Sequence, residues 1–354
     1  MITSDGVKQR ARELGFDACG IAPASELPEL TALATWLERG YAGEMVYLHK
    51  SADTRADIRR FLPGAQSVIM TATLYNTEPA VGPGREPAPG TVRVARYARG
   101  EDYHLVLADR LVALVDWMRA VHAAPFEAAV FVDKHHVQER VYARHAGLGW
   151  IGKNTCLINP EIGSWILLAG VATSLALEPD EAGFDQCGEC TLCLDACPTG
   201  ALVGAHELDA TRCISYLTIE LAGPVPAAQR PSVGDHLFGC DICQDVCPWN
   251  LAPAVATDAA WQPRLRRDGA SAAELWQLSD QDLHGLVRGS AMTHTSLAHL
   301  RRNLAIIIGN SGNVSLLPVL DRPGGGVPNA AHSAATPVVR DAVSWAKTRL
   351  HGGA

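Results

Sequence analysis

The chain has 354 residues, of which 47% are hydrophobic, and its formal net charge at pH 7 is -8. This length suffices for two to three domains with a sizeable buried core, and the acidic balance argues against a protein that coats nucleic acid through its overall field. The first twenty residues lack the apolar stretch of a secretory signal, and the longest apolar runs are too short to cross a membrane. We therefore expect a cytoplasmic protein without membrane contact.

Residues 1–182 alternate helical stretches with short apolar runs. Helical spacing is found in VKQRARELG, ELTALATWLERG and LVLADRLVALVDWMRAVHA, and the apolar runs are DACGIA, SVIMTATLY, AAVFVD and SWILLAGVAT. This alternation predicts an α/β domain built around a sheet. A Pro- and Gly-rich stretch near residues 80–90 interrupts the pattern and predicts a surface loop.

Eight of the ten cysteines lie in the next segment, residues 183–250, which we predict to be a second domain. The first four have the C-x2-C-x2-C-x3-C-P spacing of bacterial ferredoxins and are Cys187, Cys190, Cys193 and Cys197. A partial second run with its own proline, C-x2-C-x3-C-P, is formed by Cys240, Cys243 and Cys247, and Cys213 supplies the missing eighth cysteine. The pattern predicts a ferredoxin-like module with two 4Fe-4S clusters.

The spacing also predicts which cysteines share a cluster. Three thiolates at x2 spacing converge on one cube, whereas the cysteine before the proline reaches the neighbouring cluster. The first cluster would then use Cys187, Cys190, Cys193 and Cys247, and the second would use Cys197, Cys213, Cys240 and Cys243. Structural zinc is the alternative, because zinc sites also use C-x2-C pairs, but they do not require this longer pattern twice.

Residues 251–354 contain no cysteine and form the third predicted domain. The stretches TSLAHLRRNLAIIIGN, VSLLPVLDR and TPVVRDAVSWAKTRL are apolar at helical spacing and bounded by Gly, Asn or Pro. They predict a small, α-helical, HEAT-like C-terminal domain. Clusters alone carry single electrons, so the residues outside the cysteine module should house a substrate and any cofactor that performs bond chemistry.

Local basic runs are candidates for phosphate contacts despite the acidic balance. They comprise Arg93, Arg96 and Arg99 beside Tyr97 and Tyr103, the group Arg264, Arg266 and Arg267, and the pair Arg301 and Arg302. Such runs are more often solvated faces than binding sites. The sequence does not tell which arginine would meet which phosphate.

Four segments together resemble the epoxyqueuosine reductase family, over nearly the whole chain. They are VDKHHVQERVYARHAGLGWIGKNTCLINPEIGSW, CGECTLCLDACPTGAL, RCISYLTIE and GCDICQDVCPWN. The resemblance implies an enzyme that uses cobalamin and two 4Fe-4S clusters to reduce epoxyqueuosine to queuosine at the wobble base of tRNA, the last step of queuosine biosynthesis. It also implies a nitroreductase-like α/β cobalamin domain, related to that of reductive dehalogenases, ahead of the ferredoxin-like and helical parts.

The same resemblance implies site residues. Asp133, at the end of the run AAVFVD, would donate a proton to the oxygen that leaves the epoxide, with its pKa raised by a corrinoid and substrate that close the pocket. The positions that match cobalamin contacts are Arg55, Tyr97, Asp133, Asn154, Cys156, Leu168 and Ser215.

One departure from the family follows Asp133. The family has small residues and a proline there, whereas this chain has Lys134, His135 and His136, which leaves the shape of the pocket open. The two histidines are alternative acids or metal ligands, although adjacent side chains on an extended segment point in opposite directions.

The implied partners are a tRNA that carries epoxyqueuosine at the wobble base and a reducing electron donor of the flavodoxin or ferredoxin type, and we expect a monomer. Two other enzyme or carrier classes remain open: a reductive dehalogenase-like corrinoid enzyme acting on a small molecule, and a non-catalytic iron-sulfur electron carrier. A non-catalytic tRNA-binding module is a third reading, but it leaves both clusters unexplained. Binding of a corrinoid separates the carrier from the two enzymes.

Overall fold

The computed structural model describes residues 2–77, 88–252, 254–263, 269–327 and 329–352. The α-helices are α1 (Ser4–Glu13), α2 (Ala32–Glu38), α3 (Val46–Lys50), α4 (Ala52–Arg55), α5 (Ile58–Phe61), α6 (Tyr103–Val121), α7 (Glu139–His145), α8 (Leu192–Ala196), α9 (Ile214–Ile219), α10 (Arg230–Val233), α11 (Ile242–Asp245), α12 (Ala272–Trp276), α13 (Asp280–Val287), α14 (Leu297–Asn310), α15 (Leu317–Leu320) and α16 (Pro337–Gly352). The predicted loop near residues 80–90 lies largely outside the described residues.

The strands are β1 (Ala18–Pro23), β2 (Ser67–Leu74), β3 (Arg93–Val94), β4 (Ala128–Phe131), β5 (Trp150–Ile151), β6 (Leu157–Ile158), β7 (Ile166–Thr173), β8 (Leu202–Gly204), β9 (Glu207–Leu208) and β10 (His236–Phe238). Short 3-10 helices span Pro28–Thr31, Arg96–Ala98, Ala210–Arg212, Pro248–Asn250, Ala259–Trp261, Ala291–His294, Val314–Leu316, Pro323–Gly326 and His332–Ala335.

The predicted sheet of the first domain has four strands in the order β1-β2-β7-β4, and every neighbouring pair is antiparallel. β2 is buried along its whole length because helices cover both faces of the sheet: α1 and α6 lie on one side and α7 on the other. This explains why SVIMTATL is a continuous apolar run without alternation. At Gly170 on β7 a Cβ atom would lie 2.6 Å from the carbonyl oxygen of Ile69, so only glycine fits there.

Helix α6 begins at a capped acidic residue. Asp102 accepts a hydrogen bond from the backbone N–H of His104, which satisfies one free donor of the first turn. The buried side chains of α6 recur at helical spacing and are Tyr103, His104, Leu107, Leu111, Leu114, Val115 and Met118. The cap therefore sets where this face begins, and it places Tyr103 and His104 at the end of the helix that lies near β4.

The three predicted segments share one hydrophobic core. β3 of the first segment pairs in parallel with β10 of the cysteine segment, and α14 of the third segment packs against β10, α9 and α16. The buried cluster that contains α6 also contains α14. The boundaries at residues 182 and 250 stay a prediction, because a shared core neither requires nor forbids separate domains.

The prediction that Arg301 and Arg302 form a phosphate-binding patch is wrong. Both residues have 0% relative exposure. Arg302 donates hydrogen bonds to the carbonyl oxygens of Leu217, Leu221 and Gly223 at 2.6–2.7 Å. Arg301 donates to Asp280 and to the backbone carbonyls of Trp276 and Leu278.

The run from Arg93 to Arg99 is also engaged with the protein. Arg93 pairs with Asp235 at 2.8 Å, and Arg96 pairs with Asp245 at 2.9 Å while its guanidinium lies 4.1 Å from the ring centre of Trp165. Arg99 donates to the Val94 carbonyl at 2.8 Å. Arg93, Arg96 and Arg99 therefore stabilise the fold through contacts within the protein. Arg264, Arg266 and Arg267 lie outside the described residues.

No helix in the described part of the chain is long and apolar enough to cross a membrane.

The buried arginine pair leads to a stability prediction. Arg302→Ala should lower the free energy of unfolding by about 3 kcal/mol or more, because it leaves two buried carbonyl groups and one partly buried carbonyl group without this donor and opens a cavity. Arg322→Ala, an exposed position in the same C-terminal segment, should change it by less than about 0.5 kcal/mol. Urea titrations followed by circular dichroism measure both values, and equal midpoints for the two variants would contradict this role of Arg302.

Candidate functional site

The first group of cysteines lines one cavity. Its walls are formed by Cys187, Cys190, Cys193 and Cys247 together with Lys153, Asn154, Ile158, Pro248 and Trp249. The Lys153 ammonium donates hydrogen bonds to the carbonyl oxygens of Gly188 and Cys190 at 2.6 and 3.0 Å. This lysine fixes the cysteine loop against the turn that follows β5.

The charge balance of this cavity shows what would fit in it. Burial, together with the neighbouring thiols of Cys187, Cys193 and Cys190, raises the pKa of Cys247 to about 11. Four thiolates cannot stay charged side by side without a cation to compensate them. An iron-sulfur cluster supplies that cation and accepts four thiolates, so the residues present fit such a group.

The second group comprises Cys197, Cys213, Cys240 and Cys243. Burial raises the pKa of Cys240, and the nearby Cys213 and Cys197 thiols act in the same direction. The Cys197 sulfur accepts a hydrogen bond from the backbone N–H of Ala201 at 3.3 Å. All ten cysteines are free thiols. The structure thus brings together the two sets of four that the crossed assignment names, and the ligand assignment itself stays a prediction.

The segment from Asn154 to Cys156 lies against this second group. The side-chain amide of Asn154 donates to the Cys243 carbonyl at 3.3 Å, and its oxygen accepts from the Cys156 backbone N–H at 3.2 Å. The Cys156 and Cys243 thiols interact, which lowers the pKa of Cys156 and raises that of Cys243. Thr155 between them has a φ of +66°, a strained value for a β-branched residue.

Asp133 follows β4 after one further residue, and it has a φ of +48°. Its backbone N–H donates to the Glu139 carboxylate at 2.5 Å, which holds this left-handed conformation. Its Oδ2 atom accepts from the Tyr103 hydroxyl at 2.9 Å and faces Nε2 of His104 at 3.2 Å. Its Oδ1 atom accepts no hydrogen bond from the part of the chain that the structure describes.

The Asp133 carboxylate lies on the wall of an open concavity. Its side chain is 58% exposed, yet protein atoms surround it closely enough for desolvation to act on its pKa. Burial raises the pKa of Asp133, but the hydrogen bonds from His104 and Tyr103 outweigh that effect, and the pKa falls below its usual value. The protein alone therefore favours the carboxylate form of Asp133, and the raised pKa expected of a proton donor stays a prediction.

The neighbouring Glu139 behaves in the opposite way. Burial raises its pKa to about 8, and the charge of Asp133 adds to the rise. A Glu139 carboxyl that is largely protonated near neutral pH adds little negative charge next to Asp133. Two adjacent carboxyl groups thus have pKa values that are pushed apart, which is common in catalytic sites.

Arg55 and Tyr97 share the concavity with Asp133. Burial lowers the pKa of Arg55, while the nearby Tyr47, Glu139 and Asp133 oppose the change. Burial raises the pKa of Tyr97, and the charges of Asp133 and Asp241 act on it as well. We call this concavity the Asp133 cleft and define it by Tyr47, Arg55, Tyr97 and Asp133.

Tyr97 also touches the cysteine loop. A Cβ atom on Gly239, next to Cys240, would lie 3.6 Å from the Tyr97 ring. The Tyr97 ring centre lies 6.0 Å from that of Tyr103, which binds Asp133, and 6.2 Å from that of Phe238, two residues before Cys240. Tyr97 therefore lies between Asp133 and the second cysteine group. The Tyr97 hydroxyl has no hydrogen-bond partner within the described ranges, so it is free to bind a ligand.

Ser215 and Leu168 are the two remaining positions predicted to contact cobalamin. Ser215 is half-buried in the first turn of α9, two residues after Cys213. Leu168 lies on β7, where its partly buried side chain packs with the hydrophobic cluster on the α7 side of the sheet.

Within the described residues, neither histidine after Asp133 lies in a group of possible metal ligands. His135 is exposed, but its Nδ1 accepts from the Val132 backbone N–H at 3.1 Å and its ring lies edge-on to Phe61, with centroids 5.9 Å apart. His136 is exposed, and the described residues bring no acidic or thiol ligand into a metal-binding group with it.

Sequence reasoning missed a polar chain behind Asp133. Asp102, His104 and His294 place three ligand-type atoms within 4.8 Å of one another, and His104 connects them to Asp133. The available signal was the Asp-x-His spacing of Asp102 and His104 next to the predicted start of α6. His294 could not have been found, because it lies far along the chain.

Two protein-family models match the chain. The one described as "4Fe-4S double cluster binding domain" matches residues 186–250, and the one described as "Epoxyqueuosine reductase QueG, DUF1730" matches residues 55–134.

Several known proteins resemble the chain over most of its length. It is 39% identical over 351 residues to the epoxyqueuosine reductase of Pseudomonas aeruginosa, covering 99% of this chain and 94% of the relative. It is 42% identical over 318 residues to that of Gloeobacter violaceus, covering 88% and 97%. A crystal structure of epoxyqueuosine reductase with a tRNA-Tyr epoxyqueuosine-modified tRNA stem loop matches with a TM-score of 0.84 and 30% identity, over 98% of this chain and 89% of that one.

The grouping of the cysteines gives a metal prediction. Anaerobic reconstitution should yield about eight irons and eight sulfides per chain, because two cubane clusters use eight cysteines with none shared. Cys247→Ala should lose mainly the cluster of Cys187, Cys190 and Cys193, and Cys213→Ala should lose mainly the other cluster.

Iron analysis with electron paramagnetic resonance of the reduced protein distinguishes the two clusters. Cys19→Ala, at a buried cysteine outside both groups, is the matched control and should keep all the iron. One zinc per chain without sulfide, or a Cys247→Ala protein that keeps the first cluster, would show the assignment to be wrong.

Proposed function

The chain belongs to the epoxyqueuosine reductase family, and from this premise we propose that it reduces epoxyqueuosine at the wobble position of tRNA to queuosine, with cobalamin and two 4Fe-4S clusters as cofactors. The observation that carries the proposal is the position of Tyr97 between Asp133 and the second cysteine group. A reaction that delivers both electrons and protons to one epoxide requires an acid and an electron-transfer centre this close together.

The Asp133 cleft fits a corrinoid by the chemistry of its walls. It is open, since the Tyr47 and Asp133 side chains are 48% and 58% exposed although protein surrounds them. Arg55 and Tyr97 supply guanidinium and hydroxyl groups, which suit the amide-bearing rim of a corrinoid. When bound, cobalamin supplies low-potential electrons at the substrate carbon.

The residues of this chain would handle the protons and the geometry. Asp133 presents Oδ1 to the cleft while Oδ2 is fixed by Tyr103 and His104, so one oxygen is oriented and the other is free to reach the departing oxygen. Glu139 holds the Asp133 backbone in its strained conformation. The carboxyl group thus has a defined direction before any ligand binds.

The tRNA would bind through local contacts rather than through the overall charge. A wobble nucleotide belongs to a single-stranded loop, so it is splayed into a pocket at modest cost. Lys134 and Arg140 are exposed on either side of the segment that contains His136, close to Asp133. They replace the buried Arg301 and Arg302 as candidates for phosphate contact.

We propose that the chain is divided into three domains. Residues 1–182 would be a nitroreductase-like cobalamin and substrate domain, residues 183–250 the ferredoxin-like module and residues 251–354 a HEAT-like helical domain. The four-stranded sheet, the grouped cysteines and the packed helices α12 to α16 support this division. We also propose a cytoplasmic monomer that receives electrons from a flavodoxin or ferredoxin type of donor.

The experiment that tests the function is mass spectrometry of tRNA nucleosides from cells that lack this protein. Epoxyqueuosine should accumulate and queuosine should disappear, and both should be reversed by the wild-type gene. Normal queuosine in the deletion strain, together with no turnover of epoxyqueuosine-tRNA by the loaded protein, would refute the proposal.

The role of Asp133 gives a kinetic prediction. Asp133→Asn keeps the size of the side chain but removes the titratable proton, so single-turnover reduction by the pre-reduced enzyme should slow by roughly 10²- to 10⁴-fold. Clusters, cobalamin content and binding of the tRNA stem loop should be retained. Asp109→Asn, an exposed position on α6, is the matched control. A folded, fully loaded Asp133→Asn enzyme with a wild-type rate would remove Asp133 from the mechanism.

A further inference from the structure

The proposed reaction consumes more protons than Asp133 can hold. An epoxide becomes an alkene and water when two carbon-oxygen bonds break, two electrons enter and two protons are added to the oxygen. Asp133 holds one proton at a time. The second proton must therefore arrive within the same turnover, either at Asp133 or directly at the oxygen.

A continuous polar chain leads away from Asp133 into the protein. His104 is 9% exposed, and its Nε2 atom faces Asp133 Oδ2 at 3.2 Å. Its Nδ1 atom faces Asp102 Oδ1 at 2.7 Å and His294 Nε2 at 3.2 Å. The other oxygen of Asp102 faces His294 Nε2 at 3.2 Å. Each ring nitrogen of His104 is thus directed at a carboxylate oxygen.

The series of polar groups that begins at Asp133 ends at His294, which reaches solvent. The His294 side chain is 32% exposed, whereas those of His104 and Asp102 are 8% and 10% exposed. Burial lowers the pKa of His294, and the charges of His104 and Lys134 lower it further against the opposing effect of Asp102. A neutral His294 can take a proton from water on one side and release one on the other.

We propose that His104 is a positioning residue that also relays protons, reloading Asp133 from solvent through Asp102 and His294. A neutral imidazole donates at one nitrogen and accepts at the other, so a proton taken up at Nδ1 and lost from Nε2 passes through the ring. Asp133 loses its first proton to the oxygen, receives the second from His104 Nε2, and passes it to the same oxygen, which leaves as water. The inference rests on the proposed reduction.

The other groups around His104 do not provide this path. The Tyr103 ring stacks on His104 and its hydroxyl reaches Asp133, but burial raises the pKa of Tyr103, so it stays a hydrogen-bond donor. Glu139 contacts the backbone of Asp133 rather than its carboxylate. Lys134 and Arg140 act on His294 and Asp133 through charge alone.

The close contacts among Asp102, His104 and His294 fit proton sharing better than they fit a bound metal ion. Ligand atoms around a tetrahedral zinc ion stand roughly 3.3 Å apart, as the bond lengths of 2.0–2.1 Å require. The 2.7 Å separation of His104 Nδ1 and Asp102 Oδ1 is that of a charge-assisted hydrogen bond. That contact leaves no room for an ion between the two atoms.

The test compares single-turnover reduction of epoxyqueuosine-tRNA in four variants of the loaded enzyme. His104→Gln keeps a polar side chain but cannot gain and lose a proton, and we expect at least a 10-fold slower rate. His294→Gln should show a smaller loss. Tyr103→Phe removes the second hydrogen bond to Asp133 and reports on positioning alone. His284→Gln, an exposed histidine on α13, is the matched control and should leave the rate unchanged.

Buffer dependence separates a relay from a structural role. The rates of His104→Gln and His294→Gln should rise with the concentration of imidazole buffer, because a small acid can replace the missing relay at the open cleft. The wild-type and Tyr103→Phe rates should not rise. Buffer-independent rates in both histidine variants would overturn the relay.

A second measurement does not depend on turnover. In the cluster-loaded, cobalamin-free chain, the 15N chemical shifts of His104 report which ring nitrogen carries the proton. Asp133→Asn should move the ring toward the Nδ1-protonated tautomer, because Asp102 becomes its one anionic neighbour, and Asp102→Asn should move it the other way. Unchanged tautomers in both variants would overturn the contact on which the relay depends.

These outcomes also separate the relay from the proposed function. If wild type turns over and Asp133→Asn does not, while both histidine variants keep the wild-type rate, the relay is wrong and the reduction stands. If wild type fails to reduce epoxyqueuosine-tRNA, the proposed function fails, and the tautomer measurement still decides whether His104 is shared between the two carboxylates.

Discussion

A buried pair of arginines fixes the frame on which the other parts of the molecule depend. A guanidinium group inside a protein is tolerated only where its N–H donors meet acceptors, since an unpaired buried charge is very costly. Arg302 meets this condition by binding the end of α9 and the turn after it, and the adjacent Asn303 binds the carbonyls of Thr218 and Leu237. Helix α14 thereby holds α9 and β10 in one place, and both are attached to cysteines of the second group.

The position of the Asp133 cleft depends on this frame. Cys213 and Ser215 stand at the start of α9, and β10 leads directly to Cys240, so the second cysteine group is set by elements that α14 holds. From the other side, the four-stranded sheet delivers Asp133 at the end of β4. Tyr97 lies where the two parts meet. A loop supported by rigid elements on both sides, as the Asp133 loop is, keeps its geometry while its own backbone is strained.

The sequence predicted what is encoded locally. Cysteine spacing is a short-range pattern imposed by cluster geometry, and the continuous apolar run of β2 follows from burial on both faces. The relay of His104 and His294 could not be predicted, because their contact joins residues on distant elements. Arg301 and Arg302 were misjudged for a related reason: a charge run shows donors but not the carbonyls that will surround them. The role of Asp133 came from family resemblance, since an acid after a strand is otherwise an ordinary turn residue.

The partners of α14 are mostly backbone atoms rather than side chains. Arg302 and Asn303 bind carbonyl groups of five residues, among them Leu217, Gly223 and Leu237, and a carbonyl is present whatever side chain stands at the position. Sequence drift along α9 and β10 is therefore tolerated as long as the chain follows the same path. Substitution of Arg302 or Asn303 on α14 is not tolerated in this way, because their side chains supply the donors. Over evolutionary time the two sides of this contact should diverge at unequal rates, with the donors nearly fixed and the acceptors variable.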